Sequence, residues 1–445
     1  MSKTKVALVP VANHFESGGE RWEDLFGAAR KAFEQNGVEV LGAKKMVWDA
    51  ADALEVVDQF QGADPDLLVI IHVTWVQDTI QYLFVNNLKC PVILWAVPFI
   101  ETFSLGCVQH FASILWENNI AFKHVYGMPQ DKDVVAEIVR FAASAGIAGG
   151  LRKARIALIG PRQTWRVANA QDMSREEWDF SKTCGVTIVH IEMSELIGAA
   201  ESKSEAQAKQ VLQEMKRTKR LGTVKVDQGR LEYAAKVYLG VKELFQRYGL
   251  SAAAAECYPE FGGLVNLPSS WLADEGLVLD TEGDIGHTLL LYALYQMGQE
   301  GPAALSEIGS YESKENCFYL DHEGSSAHSL AEDPSQVHIQ EGGDGVMVGF
   351  PFKPLPKVTV TDICGNNGVY KVLILSGSTA KIDDKTWAEA GSKLLIKVKF
   401  EKKVEEIFNC MLQEGVDHHL LVKEGDVCAQ LADLCDILGM KKVVI

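Results

Sequence analysis

AAECYPEFGGLVNLPSSWLADEGLVLDTEGDIGHTLL, residues 254–290, decides the fold class. Its first acidic residue, Glu256, ends the short apolar run AAAA at 252–255, and Glu282 and Asp284 follow the run LVL at 277–279. Runs of that length read as buried strands, and the carboxyl ends of strands in an α/β sheet are where functional side chains are placed. Buried carboxylates are costly unless paired, protonated or bound to a cation, so two such clusters point to a hard divalent ion. A plainer reading makes Glu256 the cap of a helix starting at Tyr258 and Pro259. It makes Glu282 and Asp284 the acidic first turn of the helix GHTLLLYALYQMG, residues 286–298.

Upstream, apolar runs alternate with amphipathic ones: KVALVPV (5–11), EDLFGAARKAFEQNG (23–37), VEVLGA (38–43), DLLVIIHV (66–73), PVILWAV (91–97) and AFKHVYG (121–127). That rhythm predicts a parallel sheet covered by helices on both faces. A second unit opens after SAGIAGGLRK (144–153) with ARIALIG and VTIVHIE, and runs through a long helical tract to the acidic clusters. From about residue 338 the pattern becomes short β-rich runs broken by Gly, Pro and Asn: GVMVGFPF, VTVTDICG, YKVLILSGS and KLLIKVKF. The expected class is α/β: two doubly wound parallel-sheet domains at 1–150 and 151–337, then a β-rich, barrel-like C-terminal domain at 338–445.

Composition sets the surroundings. The chain of 445 residues has 43 Lys and Arg against 60 Asp and Glu, a formal charge of −17, which disfavours nucleic acid and anionic membranes as partners. The one basic run, KRTKR at 216–220, ends a charged helical segment and reads as a solvated face. Nine cysteines stand singly with no CxxC pair, as reduced and mostly buried thiols do. The N-terminus lacks the apolar core of a signal peptide, and no apolar run reaches the roughly 18 residues of a spanning helix. A cytoplasmic enzyme is expected.

Near the other end, GVDHHLLVKEGD (415–426) offers the adjacent imidazoles His418 and His419. Carboxylates with an imidazole suit manganese (Mn2+) or a similar ion better than calcium. The order of GADPDLLVIIHVTWVQD (62–78), PVILWAVP (91–98), ARIALIGPRQTW (154–165), AECYPEF (255–261), EGD (282–284) and this HH pair resembles the L-fucose isomerase and L-arabinose isomerase family over the whole chain. The resemblance implies the same three-part layout and a metal-dependent aldose–ketose isomerisation through a cis-enediol(ate). It also implies a homotrimer or homohexamer in which one subunit's first domain completes a neighbour's active site.

Residue by residue, the resemblance implies Glu256 and Glu282 as acidic metal ligands and catalytic acid/base groups, and His419 as the histidine ligand. His418 would orient His419 or meet substrate, beside Asp284. The arabinose branch has a further metal-binding histidine where this chain reads GSYESKEN (309–316), so a shell of two carboxylates and one histidine is favoured. His322, in FYLDHEGSSAHSL (318–330), is implied to line the site, a loop histidine being the plainer reading. Independently of the family, GPRQTWR (160–166) puts Arg162, Trp165 and Arg166 at a strand's end, suited to stacking on a sugar and holding its hydroxyls or an anionic tail. His14 and Phe15, with Asn13, Trp75, Glu101 and Ser104, follow strands of the first domain and are candidates to reach a neighbouring site. The alternatives are a metal-assisted epimerase or lyase acting next to a carbonyl, and a non-catalytic sugar-binding protein.

Overall fold

The run LLVIIH forms the strand Leu67–His72, central in a five-stranded parallel sheet and buried at every residue. A strand covered on both faces has no solvent side for polar residues, which explains the unbroken apolar run. In this computed structural model the described residues are 3–160, 177–257, 261–298, 301–323, 326–343 and 345–445. The sheet order is Glu39–Gly42, Lys5–Val11, Leu67–His72, Val92–Ala96, Phe122–Tyr126, with all neighbours parallel. The helices Trp22–Gln35, Ala50–Phe60, Asp78–Leu88 and Ser104–Glu117 connect the strands in a doubly wound arrangement.

The chain divides into two compact units, and this sheet belongs to the first, residues 1–150 with 430–439. The late segment is tied in by Asp433, which is buried and paired with Lys123 Nζ at 2.7 Å and Arg140 Nε at 2.8 Å. One helix, Lys132–Lys153, corrects the expectation that no stretch is long and apolar enough to cross a membrane. By length and composition it is, with a mean hydropathy of 1.5, but half of that stretch is buried inside the protein, as in a core helix.

His72 is fully buried at the end of the central strand, with Nε2 2.6 Å from Gln81 Oε1 and Nδ1 3.3 Å from the Trp95 carbonyl. Burial pushes its imidazole down to about 4, against the raising effect of those hydrogen bonds. Between that value and the ordinary 6.5 the unfolded chain binds a proton that the folded one refuses, so stability is present above pH 6.5 and lost as pH falls towards 4. A shift of this size corresponds to about 3 kcal/mol. Thermal melts from pH 7 to 4 should show that loss, and His72→Gln should flatten the slope.

The second unit, residues 151–429 with 440–445, begins with a four-stranded parallel sheet in the order Val278–Asp280, Ala252–Ala255, Arg155–Ile159, Thr187–Ile191. The all-alanine strand is buried, and its small side chains let the helix Ile285–Tyr295 lie close over it. The same unit contains a closed ring of six strands: Leu355–Asn366, His419–Glu424, Ala303–Glu312, Cys317–His322, Leu394–Lys399 and Val369–Ala380, which pairs back to Leu355–Asn366. Closure removes the exposed edges that an antiparallel sheet otherwise presents. Two of the six strands, Ala303–Glu312 and Cys317–His322, precede residue 338. The last strand, Lys441–Val444, adds in parallel to Val369–Ala380. One continuous apolar core runs from Ala253 and Ala255 of the parallel sheet to Leu420, Val422 and Ile396 of the barrel.

Candidate metal centre

Each acidic residue of the stretch DTEGD has its own structural task. Asp280, at the end of its strand, accepts the backbone N–H groups of Glu282 and Asp284 on Oδ1 at 2.9 and 3.0 Å, a local turn typical of aspartate. Gly283 takes φ +80, which a side chain rarely adopts, and a Cβ there would also sit 3.3 Å from that of Glu256. Asp284 then caps the helix Ile285–Tyr295, its Oδ1 accepting from the His287 N–H at 3.0 Å. The plainer reading of Asp284 as a helix-start residue therefore describes its backbone role. The turn leaves Glu282 beside Glu256, and the two are joined by an isolated antiparallel backbone bridge.

The barrel supplies the rest. Glu307 pairs in register with His419 on one side and Asp321 on the other, and His322 ends the next strand. A register shift between Ile308 and Ser310 follows Glu307, a type of irregularity that re-aims side chains. Donor atoms of Glu282, Glu307, His322 and His419 all lie within 4.8 Å of one another. Glu282 stands between the imidazoles: Oε1 is 3.3 Å from His322 Nε2 and Oε2 is 3.3 Å from His419 Nε2. Glu307 Oε1 is 3.9 Å from both Nε2 atoms.

The electrostatics follow from this crossing. Burial works against the charge on Glu282, but the facing imidazoles of His322 and His419 outweigh it and hold the carboxyl well below its ordinary range. Burial likewise opposes a charge on His322, and Glu282 raises it again. Asp280, buried beside Asp284 and Glu282, is pushed up to about 6. Two imidazole nitrogens and two carboxylates form a donor set that fits a divalent transition ion. The cluster has a built support as well: His419 Nδ1 lies 3.2 Å from Asp284 Oδ2, so the nitrogen facing Glu282 is Nε2.

The expected site residues fall in several places. Glu282, His322 and His419 meet in the cluster, and Asp284 stands directly behind His419. Glu256 is buried with its carboxylate against Gly160, where a Cβ would lie 3.3 Å from Oε2, and it is not a member of the group of four. His418 precedes the strand His419–Glu424 and is exposed, with its ring centroid 4.4 Å from that of His419. Arg162, Trp165 and Arg166 lie outside the described residues. In the first unit, His14 stacks on Trp48 with ring centroids 4.3 Å apart, and Phe15 is 92% exposed. Sequence reasoning missed Glu307, His287 and Asp362. The available signal for Glu307 was a carboxylate inside the strand-like run AALSEIG, an unusual place for one.

No protein-family model matches the chain. It is similar to the sulfoquinovose isomerase of Clostridium sp. (strain MSTE9), 22% identical over 397 residues that cover 85% of this chain and 86% of that protein. Among solved structures, a periplasmic sugar binding protein of an ABC transporter from Legionella pneumophila is 13% identical, covering 67% of this chain and 97% of that one, with a TM-score of 0.18. The D-threo-3-hydroxyaspartate dehydratase from Delftia sp. HT23 is 10% identical, covering 96% and 85%, with a TM-score of 0.15. Neither structural likeness is strong enough to bear on function.

Proposed function

We propose that this chain is a metal-dependent aldose–ketose isomerase whose ion is held by Glu282, Glu307, His322 and His419. The observation that carries the reading is the convergence of two carboxylates and two imidazoles, from four separate segments, on donor atoms within 4.8 Å. Similarity to a sulfoquinovose isomerase along 85% of the chain supports the reaction class and directs the substrate class towards a sugar bearing a sulfonate. Manganese is the ion we assign, and when bound it would supply Lewis-acid stabilisation of developing negative charge.

The reaction moves a proton between C1 and C2 while hydroxyl and carbonyl exchange places. A carboxylate beside the reacting carbon is the group this requires, and we assign that role to Glu282, whose two oxygens face the cluster. We assign Glu256, whose backbone pairs with that of Glu282, to the same proton transfer rather than to the ion. The enzyme is proposed to be cytoplasmic, in keeping with nine free cysteines, and to work as a homo-oligomer with shared sites.

The test is direct. Purified protein stripped with a chelator and reloaded with manganese should convert sulfoquinovose to its ketose, faster than it converts a neutral aldohexose, and should stop when chelator is restored. A C2 epimer or a cleaved product instead of a ketose would transfer the site to epimerase or lyase chemistry. Unchanged activity in chelator would remove the metal from the account.

A further inference from the structure

We infer that Asp362 and His287 are positioning residues of the metal centre, acting on His419 through Asp284; this rests on the metal-binding reading of the four-residue cluster. His419 can present Nε2 to Glu282 and Glu307 as a ligand only while its proton stays on Nδ1. That nitrogen donates to Asp284 Oδ2 at 3.2 Å. The same oxygen accepts from His287 Nδ1 at 2.5 Å, while Asp284 Oδ1 accepts the His287 backbone N–H. The far nitrogen of His287 donates to Asp362 Oδ1 at 2.7 Å and lies 3.2 Å from the His419 carbonyl. Asp362, His287, Asp284 and His419 are all fully buried.

The chain of contacts runs from one barrel strand, through the capped helix, to another barrel strand. A histidine inside the otherwise apolar helix IGHTLLLYALY is costly unless both ring nitrogens are satisfied. Here each nitrogen has its own carboxylate, and the ring stands at 89° to that of His419 with centroids 5.3 Å apart. Asp284, gripped from two sides, cannot turn away from His419. Outer partners of this kind fix the tautomer and the direction of a ligating imidazole.

Two measurements decide it. In metal-free protein, proton NMR should show slowly exchanging low-field imidazole N–H signals that vanish in His287→Gln, with one of them lost or strongly shifted in Asp362→Asn. In manganese titrations, Asp362→Asn should bind about ten- to a hundredfold more weakly than the parent, with an unfolding transition that stays cooperative. If that variant fails to fold, Asp362→Glu keeps the charge while displacing it and is expected to weaken binding in the same direction. Parent-like manganese affinity in the folded variants would overturn the inference, as would absence of the low-field signals from the metal-free parent. A parent that binds no manganese would instead overturn the proposed function, so the two failures are told apart.

Discussion

Glu282→Gln is expected to lower isomerase turnover by about a hundred- to ten-thousand-fold while leaving the protein folded. The amide has the same shape, so the turn formed by Asp280 and Gly283 survives. What it loses is the charge that faces both Nε2 atoms, and with it the capacity to take a proton or to bind an ion as a carboxylate. The checks are kcat for ketose formation and the melting temperature. Glu256→Gln, made beside it, separates the two carboxylates: its side chain lies by Gly160 and outside the four-donor group, so turnover should fall while manganese affinity holds. Near-normal turnover in either variant would take that residue out of the mechanism.

The second large effect is on metal affinity. His419→Ala should weaken manganese binding by more than about a hundredfold, beyond what removal of an outer partner costs, whereas His418→Ala should leave it nearly unchanged. Only His419 is buried with one nitrogen held by Asp284 and the other turned to Glu282. His418 is exposed just before the strand and touches the His419 ring from outside the cluster of four donors. Calorimetric titration of both variants decides between them. If His418→Ala is the variant that loses the ion, the two roles are reversed.

The parallel sheets were legible because strands such as LLVIIH and VILWA are apolar from end to end, and only a strand covered on both faces can be. The barrel was legible as a region, but its first strand, Ala303–Glu312, fades from buried AALS into exposed SYE and gives no clean period. Glu282 and Asp284 could be read because they end an apolar run. Glu307 could not, since its meaning comes from its register opposite His419, on a strand more than a hundred residues away in sequence. His287 was hidden for another reason: within GHTLLLYALY it looks like one more residue on a helix face. Its role appears only when Asp362 arrives from the barrel.

Pulsed electron paramagnetic resonance of the manganese-loaded protein tests the central claim most directly, because it counts the imidazole nitrogens bound to the ion. The account predicts two, from His322 and His419, with one lost in His419→Ala. One nitrogen in the parent would instead match the shell of two carboxylates and one histidine, and none would contradict a metal centre at this cluster altogether.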